Sequence, residues 1–234
     1  MTLAVSSLGS EALDTPGAHP ALVETTLKDI VRVNALLGGR AAAAFGLDRL
    51  LTEVAPDTRL TLLDVGAGSG DLASHFVRRA ARRGVALTPL IVERHPVAAR
   101  LCRRAGLVAA VGDGGQLPLA GRSVDIVLAS QLLHHLERRS AVTLLRELNR
   151  VARLGVIVAD LRRHAAAALG IWLASYPLGL HRITRQDGVT SVRRGFTRPE
   201  LEQLLRDAGV AGAVFQRPGY RLVAVWRAAG RADG

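Results

Sequence analysis

From Arg59 onward the apolar residues of this chain fall into two alternating patterns. Short continuous runs, RLTLLDV (59–65), LTPLIVE (87–93), GLVAAVG (106–112), SVDIVLAS (123–130) and LGVIVAD (154–160), have the length and unbroken apolar character of strands covered on both faces. Between them lie segments whose apolar positions recur every three to four residues, as on one face of a helix. Strands alternating with helices predict an α/β fold, a doubly wound and mostly parallel sheet with crossover helices on both sides. Two further runs, AVFQRP and YRLVAVW, are joined only through Pro218-Gly219, a hairpin-length connection, so the last of seven strands should enter antiparallel. A late helix is marked by Thr197 and Glu200 in a capping box and by Gly209 as its stop.

Ahead of the first strand, Leu22, Leu27, Ile30, Val31, Val33, Leu36 and Leu37 fit one amphipathic helix. Gly38-Gly39 interrupts it, and a helical pattern resumes over Ala41–Leu51. Residues 1–20, with Gly9, Pro16, Gly17 and Pro20 in no period, read as a mobile leader.

Charge changes this picture little. The net charge of +11 comes from arginines in scattered pairs, such as Arg78-Arg79, Arg103-Arg104, Arg138-Arg139 and Arg193-Arg194, with Lys28 the sole lysine. Aromatic residues are only 3%, so there is no basic stripe interleaved with stacking rings, and nucleic acid is not the expected partner. One cysteine, Cys102, excludes an intramolecular disulfide and a multi-cysteine zinc site, and it reads as a packing residue. The longest apolar stretch, Ala165–Leu180, contains Ser175 and Tyr176 and is broken by Pro177, so no membrane span is expected. With no basic segment before an apolar core at the start, the expected location is cytoplasmic.

The chemistry starts at LLDVGAGSGDLA (62–73), where a strand run ends and Gly66, Gly68 and Gly70 precede a helix. Glycines there let a ligand approach backbone N–H groups at a helix N-terminus. A dinucleotide fingerprint needs a glycine three residues after Gly68, where this chain has Asp71. Asp64 and Asp71 would repel a pyrophosphate, but they suit a ligand carrying an ammonium and a sulfonium. The next run ends in Glu93, placed to accept from ribose hydroxyls, and the third ends in Gly112-Asp113, placed to accept from an exocyclic amine. Asp64, Glu93 and Asp113 should therefore converge outside the carboxyl ends of the strands.

In order and spacing, LLDVGAGSG, IVERHP, VGDGGQLPL and SVDIVLASQLLHHL resemble the successive motifs of class I S-adenosylmethionine-dependent methyltransferases, of the type 11/12 kind, over roughly 60–160. The resemblance implies a seven-stranded Rossmann-like methyltransferase fold with S-adenosyl-L-methionine as cofactor. It implies that Gly66, Ala67, Gly68 and Gly70 face the methionine part, Glu93 the ribose, and Asp113 with Gly114 the adenine, with Asp64 and Arg94 also expected among the cofactor-binding residues. Ser130 and Gln131 would line the point of transfer. Glu93 departs from the family, where Asp is commoner. The chain then divides into the leader, N-terminal helices capping the site (21–56), and a methyltransferase domain (57–234) with a lid insertion at 161–195.

Methyl transfer to a hydroxyl needs alignment and a base. His134 and His135 follow the fourth strand, and relatives with a leucine-histidine-leucine segment favour His135. If both lie on the following helix they point about 100° apart, so only one should face the crevice. Trp172, Leu173, Tyr176 and Leu178 in the insertion suit an apolar or aromatic acceptor, and Arg193 and Arg194 could hold an anionic substituent. DLRRH and SVRRGFT, with Asn34, Gly38, Gly39 and Arg40, resemble a bacterial subgroup acting on small polyketide-like or quinone-like phenols. The expected reaction is methylation of a small hydrophobic or phenolic molecule at oxygen. RNA or protein methylation stays open as the alternative. Base methylation is disfavoured because SQLL stands where an Asn/Asp-Pro-Pro-aromatic segment would be.

Overall fold

A computed structural model of the chain describes residues 11, 13 and 19–228. Its seven strands are β1 (Arg59–Val65), β2 (Ala86–Glu93), β3 (Val108–Val111), β4 (Val124–Ser130), β5 (Ala152–Leu161), β6 (Ala213–Arg217) and β7 (Arg221–Arg227). They form one sheet in the order β3-β2-β1-β4-β5-β7-β6. β1 to β5 pair in parallel, while β7 pairs antiparallel with both β5 and β6. The doubly wound fold with an antiparallel last strand is as the sequence predicted. The strand order reverses between β1 and β4, and a ligand crevice opens at the carboxyl ends where crossovers diverge.

Helices cover both faces. One layer is α1 (Pro20–Leu36), α2 (Gly39–Leu50), α3 (Asp71–Ala81) and α4 (Pro96–Arg104); the other has α5 (Arg138–Val151) and α8 (Arg198–Ala208). On α5, Ala141, Leu144, Leu145, Leu148 and Val151 are buried at helical spacing and pack with Leu201, Leu204 and Leu205 of α8 against β4, β5 and β7. On the opposite face Leu47, Leu50, Phe76, Ile126 and Ile157 form a second core. Thr197 and Glu200 close the capping box of α8, and Gly209 ends that helix in the left-handed region. Between β5 and α8 the chain makes α6 (Ala165–Ala174) and α7 (Arg182–Arg194), which pack on one another.

One expectation fails. β3 is not covered on both faces: it is an edge strand, with Val108 68% and Val111 54% exposed. A short run of Val and Ala is apolar whether it lies in the middle or at the rim of a sheet, so composition alone cannot place it. Among the described residues no single helix is long and apolar enough to cross a membrane.

α2 lies close enough to the sheet that only glycine fits at position 46, where a Cβ would come within 2.5 Å of Ile157 Cγ2. Gly46→Ala should cost about 1–3 kcal/mol through overpacking. Urea unfolding should show a lower midpoint with an unchanged m-value. An unchanged midpoint would mean that α2 can move away from β5 at no cost.

Candidate functional site

The carboxyl ends of β1, β2 and β4 open into a cavity of about 1080 Å³. After β1, Gly66, Gly68 and Gly70 have φ of 72°, 58° and 77°, so the glycine loop is built from alternating left-handed residues. The turn therefore demands glycine before any ligand does. Gly70 carries a second constraint, because a Cβ there would lie 2.3 Å from Leu107 Cδ1 and 3.3 Å from Cys102 Sγ. Cys102 is fully buried under this loop, bonded to Gly68 O at 3.3 Å, and burial pushes its thiol up to about 12, which keeps it an unreactive packing group.

Three acids meet at this end. Glu93, at the tip of β2, accepts from Gly68 N at 2.9 Å and from His95 N at 2.8 Å, fixing the glycine loop to the second strand. Burial raises its pKa against the opposing effect of those N–H groups. Asp64 is 1% exposed, and its Oδ2 has no hydrogen-bond partner among the described residues. Burial, then the charges of Asp71 and Glu93, push its pKa well above the usual carboxylate range. Asp71 opens α3 and is raised chiefly by burial, with Arg40 at 3.5 Å opposing. A buried carboxylate oxygen without a donor, among like charges, is a site for a cation.

Ala67, Arg94, Asp113, Gly114, Ser130 and Gln131 also line the cavity. Asp113 Oδ1 accepts from Gly115 N at 2.8 Å, which shapes the loop after β3, and Arg94 is exposed beside Glu93. All the residues expected from the sequence at the cofactor end except Gly70, which packs behind the loop, thus line one crevice. Gln131 has φ 52°, unusual for a side chain other than glycine, and its N–H donates to Ala159 O at 2.7 Å. Its amide also bonds Asn34 of α1 and receives Arg221 Nη1 at 3.4 Å.

Past β4 the residues 133–135 form a single 3-10 turn, not the start of a long helix. This corrects the expectation that only one histidine can face the crevice. Both line the cavity, with ring centroids 4.2 Å apart. His134 is buried and its Nδ1 lies 2.6 Å from Asp160 Oδ1. Asp160 also accepts from the backbone N–H groups of Leu133, His134 and Leu161. Burial alone would raise the Asp160 pKa, but His134 and the Leu161 N–H together outweigh it and hold the group below its ordinary value. With Nδ1–H given to Asp160, His134 presents Nε2 toward the cavity.

Two participants carried little signal. Glu11 reaches the same place: its carboxylate is 3.1 Å from Arg194 Nη1, 4.0 Å from His134 Nε2 and 3.8 Å from His135 Nε2. The sequence put Glu11 in a mobile leader over 1–20, most of which lies outside the described residues, whereas Glu11 itself is buried here. Arg221 is 4% exposed, and burial lowers its pKa to about 10. Its only signal was an arginine near the start of an otherwise apolar strand run.

Residues 63–159 match a family model described as a methyltransferase domain. No curated protein gave a match. Among solved structures the chain is similar to an S-adenosylmethionine-dependent methyltransferase from Aquifex aeolicus, at 18% identity and a TM-score of 0.59 over 90% of this chain and 99% of that one. It is similar to a putative O-methyltransferase from Nostoc punctiforme, at 17% identity and TM-score 0.61 over 95% and 64%. A magnesium protoporphyrin IX methyltransferase from Synechocystis, determined with S-adenosylmethionine bound, is 13% identical with TM-score 0.55 over 87% and 84%. Residues 63–159 thus match a methyltransferase domain, and the chain shares the fold of S-adenosylmethionine-dependent methyltransferases of known structure.

Because Asp64 and Asp71, which line the cavity, both have raised pKa values, a cation seated against them would compete with protons for them. Affinity for S-adenosylmethionine should therefore fall as pH drops into their titration range, with protons released on binding there. Calorimetry in buffers of different ionisation enthalpy checks this; pH-independent binding without proton release would show that these acids do not face the cation.

Proposed function

We propose that the enzyme methylates a small apolar or phenolic molecule, most favourably at oxygen, with donor and acceptor meeting at the tip of β4. The observation that carries this reading is the polarity of the cavity along its length. The glycine-loop side is lined by carboxylates, while α1 and the segment 161–195 contribute Val33, Leu37, Ala167, Ile171, Leu180 and Val192, with Asn34, Thr184, Asp187 and Ser191 as polar groups among them. An apolar wall with few convergent polar groups suits a small-molecule acceptor better than an RNA or a protein side chain on a large partner.

When bound, the cofactor supplies a methyl group on a positively charged sulfur. We assign Asp64 to its ammonium, the N–H groups of the glycine loop with Gly66, Ala67, Gly68 and Gly70 to its methionine part, and Glu93 with Arg94 to its ribose. Asp113 with Gly114 takes the adenine, and Ser130 with Gln131 lines the point of transfer. The donorless Oδ2 of Asp64 supports the first assignment. Glu93 reaches Gly68 N across the loop, so its longer side chain binds loop and ribose together.

The base is drawn from the two histidines. His135 is the residue expected from its place after the fourth strand, and its Nε2 opens toward Glu11 and the cavity. The Asp160 contact supports His134 for the same role, because an anchored Nδ1–H leaves Nε2 as an acceptor held in one orientation. We assign proton removal to the His134–Asp160 pair, with His135 orienting the acceptor hydroxyl beside it.

Glu93→Ala should weaken cofactor binding by about 1.5–3 kcal/mol, the usual loss for hydrogen bonds to a charged group. An unchanged dissociation constant would place the ribose elsewhere. Asp160→Asn and His134→Ala should each lower turnover about 100-fold or more, with cofactor affinity kept within about twofold. His135→Ala should reduce turnover by less. The opposite ranking would make His135 the base, and full turnover in all three variants from pH 6 to 9 would leave catalysis to alignment alone.

A further inference from the structure

We propose that α6 is an interfacial helix that seats the protein on the surface of an anionic lipid bilayer, over the mouth of the acceptor cavity. The sequence of α6, AAAALGIWLA, has no charged or hydrogen-bonding side chain apart from the indole, and it is apolar around its whole circumference. A surface helix of a water-soluble domain carries polar residues on its outer face. Here Ala166, Ala167, Gly170 and Ile171 line the cavity, while Leu169, Trp172 and Leu173 stand 57%, 43% and 53% exposed. Tyr176, just beyond the helix, is 52% exposed and packs edge-on to Trp172 with centroids 5.3 Å apart. Leu36, at the end of α1, is 64% exposed next to Leu37, which packs on the Ala167 and Ile171 cluster.

The chemistry of this patch names its partner. Tryptophan, tyrosine and leucine together at the surface fit the boundary between headgroups and acyl chains, where an amphipathic ring has one end dry and one end wet. Arg185 lies over the Tyr176 ring at 3.8 Å, putting a guanidinium at the level of the aromatic pair. Residues 161–195 contain Arg162, Arg163, Arg182, Arg185, Arg193 and Arg194 against Asp187 alone. Of these, Arg163, Arg182 and Arg193 are exposed, Arg163 in an ion pair with Glu200. Basic side chains flanking an apolar helix are attracted to anionic headgroups, whereas a second copy with the same net charge of +11 would be repelled. At 10 residues α6 is half of what a span requires, so it lies in the interface and does not cross. Since its inner face walls the cavity, an apolar acceptor dissolved in the bilayer would enter beneath it; this consequence alone rests on the acceptor class proposed above.

The test is co-sedimentation of the full chain with vesicles of phosphatidylcholine alone or mixed with phosphatidylglycerol, read together with tryptophan fluorescence. The other tryptophan, Trp226, is 4% exposed in the core, so a blue shift on binding reports Trp172. Binding to the anionic vesicles with a blue shift is expected, weakened at high salt. The double variant Trp172→Ser/Leu173→Gln should bind the vesicles at least tenfold more weakly while keeping its affinity for S-adenosylmethionine in calorimetry. Retained cofactor binding shows a folded enzyme, and loss of cofactor binding in the parent chain would strike the methyltransferase reading and not this one. The proposal is overturned by vesicle binding that the double variant retains in full. It is equally overturned by a dimer that the double variant dissociates while vesicles are ignored, or by binding to RNA but not to vesicles.

Discussion

Burying a carboxylate is costly unless it is paired or hydrogen-bonded, and this structure buries three at the carboxyl ends of its parallel strands. Each resolves the cost differently. Asp160 on β5 is satisfied by three backbone N–H groups and an imidazole, so it ties the turn after β4 to the neighbouring strand. Glu93 on β2 is satisfied by Gly68 and His95, so it fixes the loop after β1. Asp64 on β1 keeps one oxygen without a donor among the described residues. Two of the buried acids build the crevice, and the third, Asp64, lines it with an oxygen that no described donor reaches.

The same accounting separates what the sequence could reveal from what it could not. The sheet was legible because strand runs, crossover helices and the Pro218-Gly219 connection are local patterns, and connection length decides whether a strand enters parallel or antiparallel. The glycine loop was legible for a reason only partly right: its left-handed φ values and the packing of Gly70 on Leu107 require glycine as much as any ligand does. The placement of β3 was not legible, because an edge position is a property of the finished sheet.

The acceptor side was harder to read. His134 and Asp160 are 26 residues apart, and Glu11 and Arg194 are 183 apart. No local periodicity encodes pairs of such separation. The helical frame assumed for the two histidines was also wrong, since a 3-10 turn turns both toward one cavity. Asn34, Gly38 and Arg40, noted only as an N-terminal element, acquire separate physical roles. Asn34 bonds Gln131, Arg40 approaches Asp71, and Gly38 lies where a Cβ would meet Pro218 O at 2.7 Å. The helices before the sheet are thus anchored at the switch point and on the last hairpin.

These contacts give the cavity an electrostatic direction. Asp64, Asp71 and Glu93 crowd the end under the glycine loop, where burial raises the proton affinity of each and the charges of Asp71 and Glu93 raise that of Asp64 further. Toward the other end stand Arg221, held partly desolvated against Gln131 and Leu37, and Arg194, neutralised by Glu11. When a methyl group leaves a sulfonium for a hydroxyl oxygen, positive charge vanishes at the donor and the acceptor must shed a proton. A cavity negative at the donor end holds the cation in place before transfer, and an imidazole with a fixed tautomer receives the proton without having to reorient. On the proposed assignment of the histidines, that arrangement suits an acceptor whose proton must be removed more than one that already offers a free lone pair. The apolar wall then sets which molecules reach the histidines, and the carboxylates set where the methyl group waits.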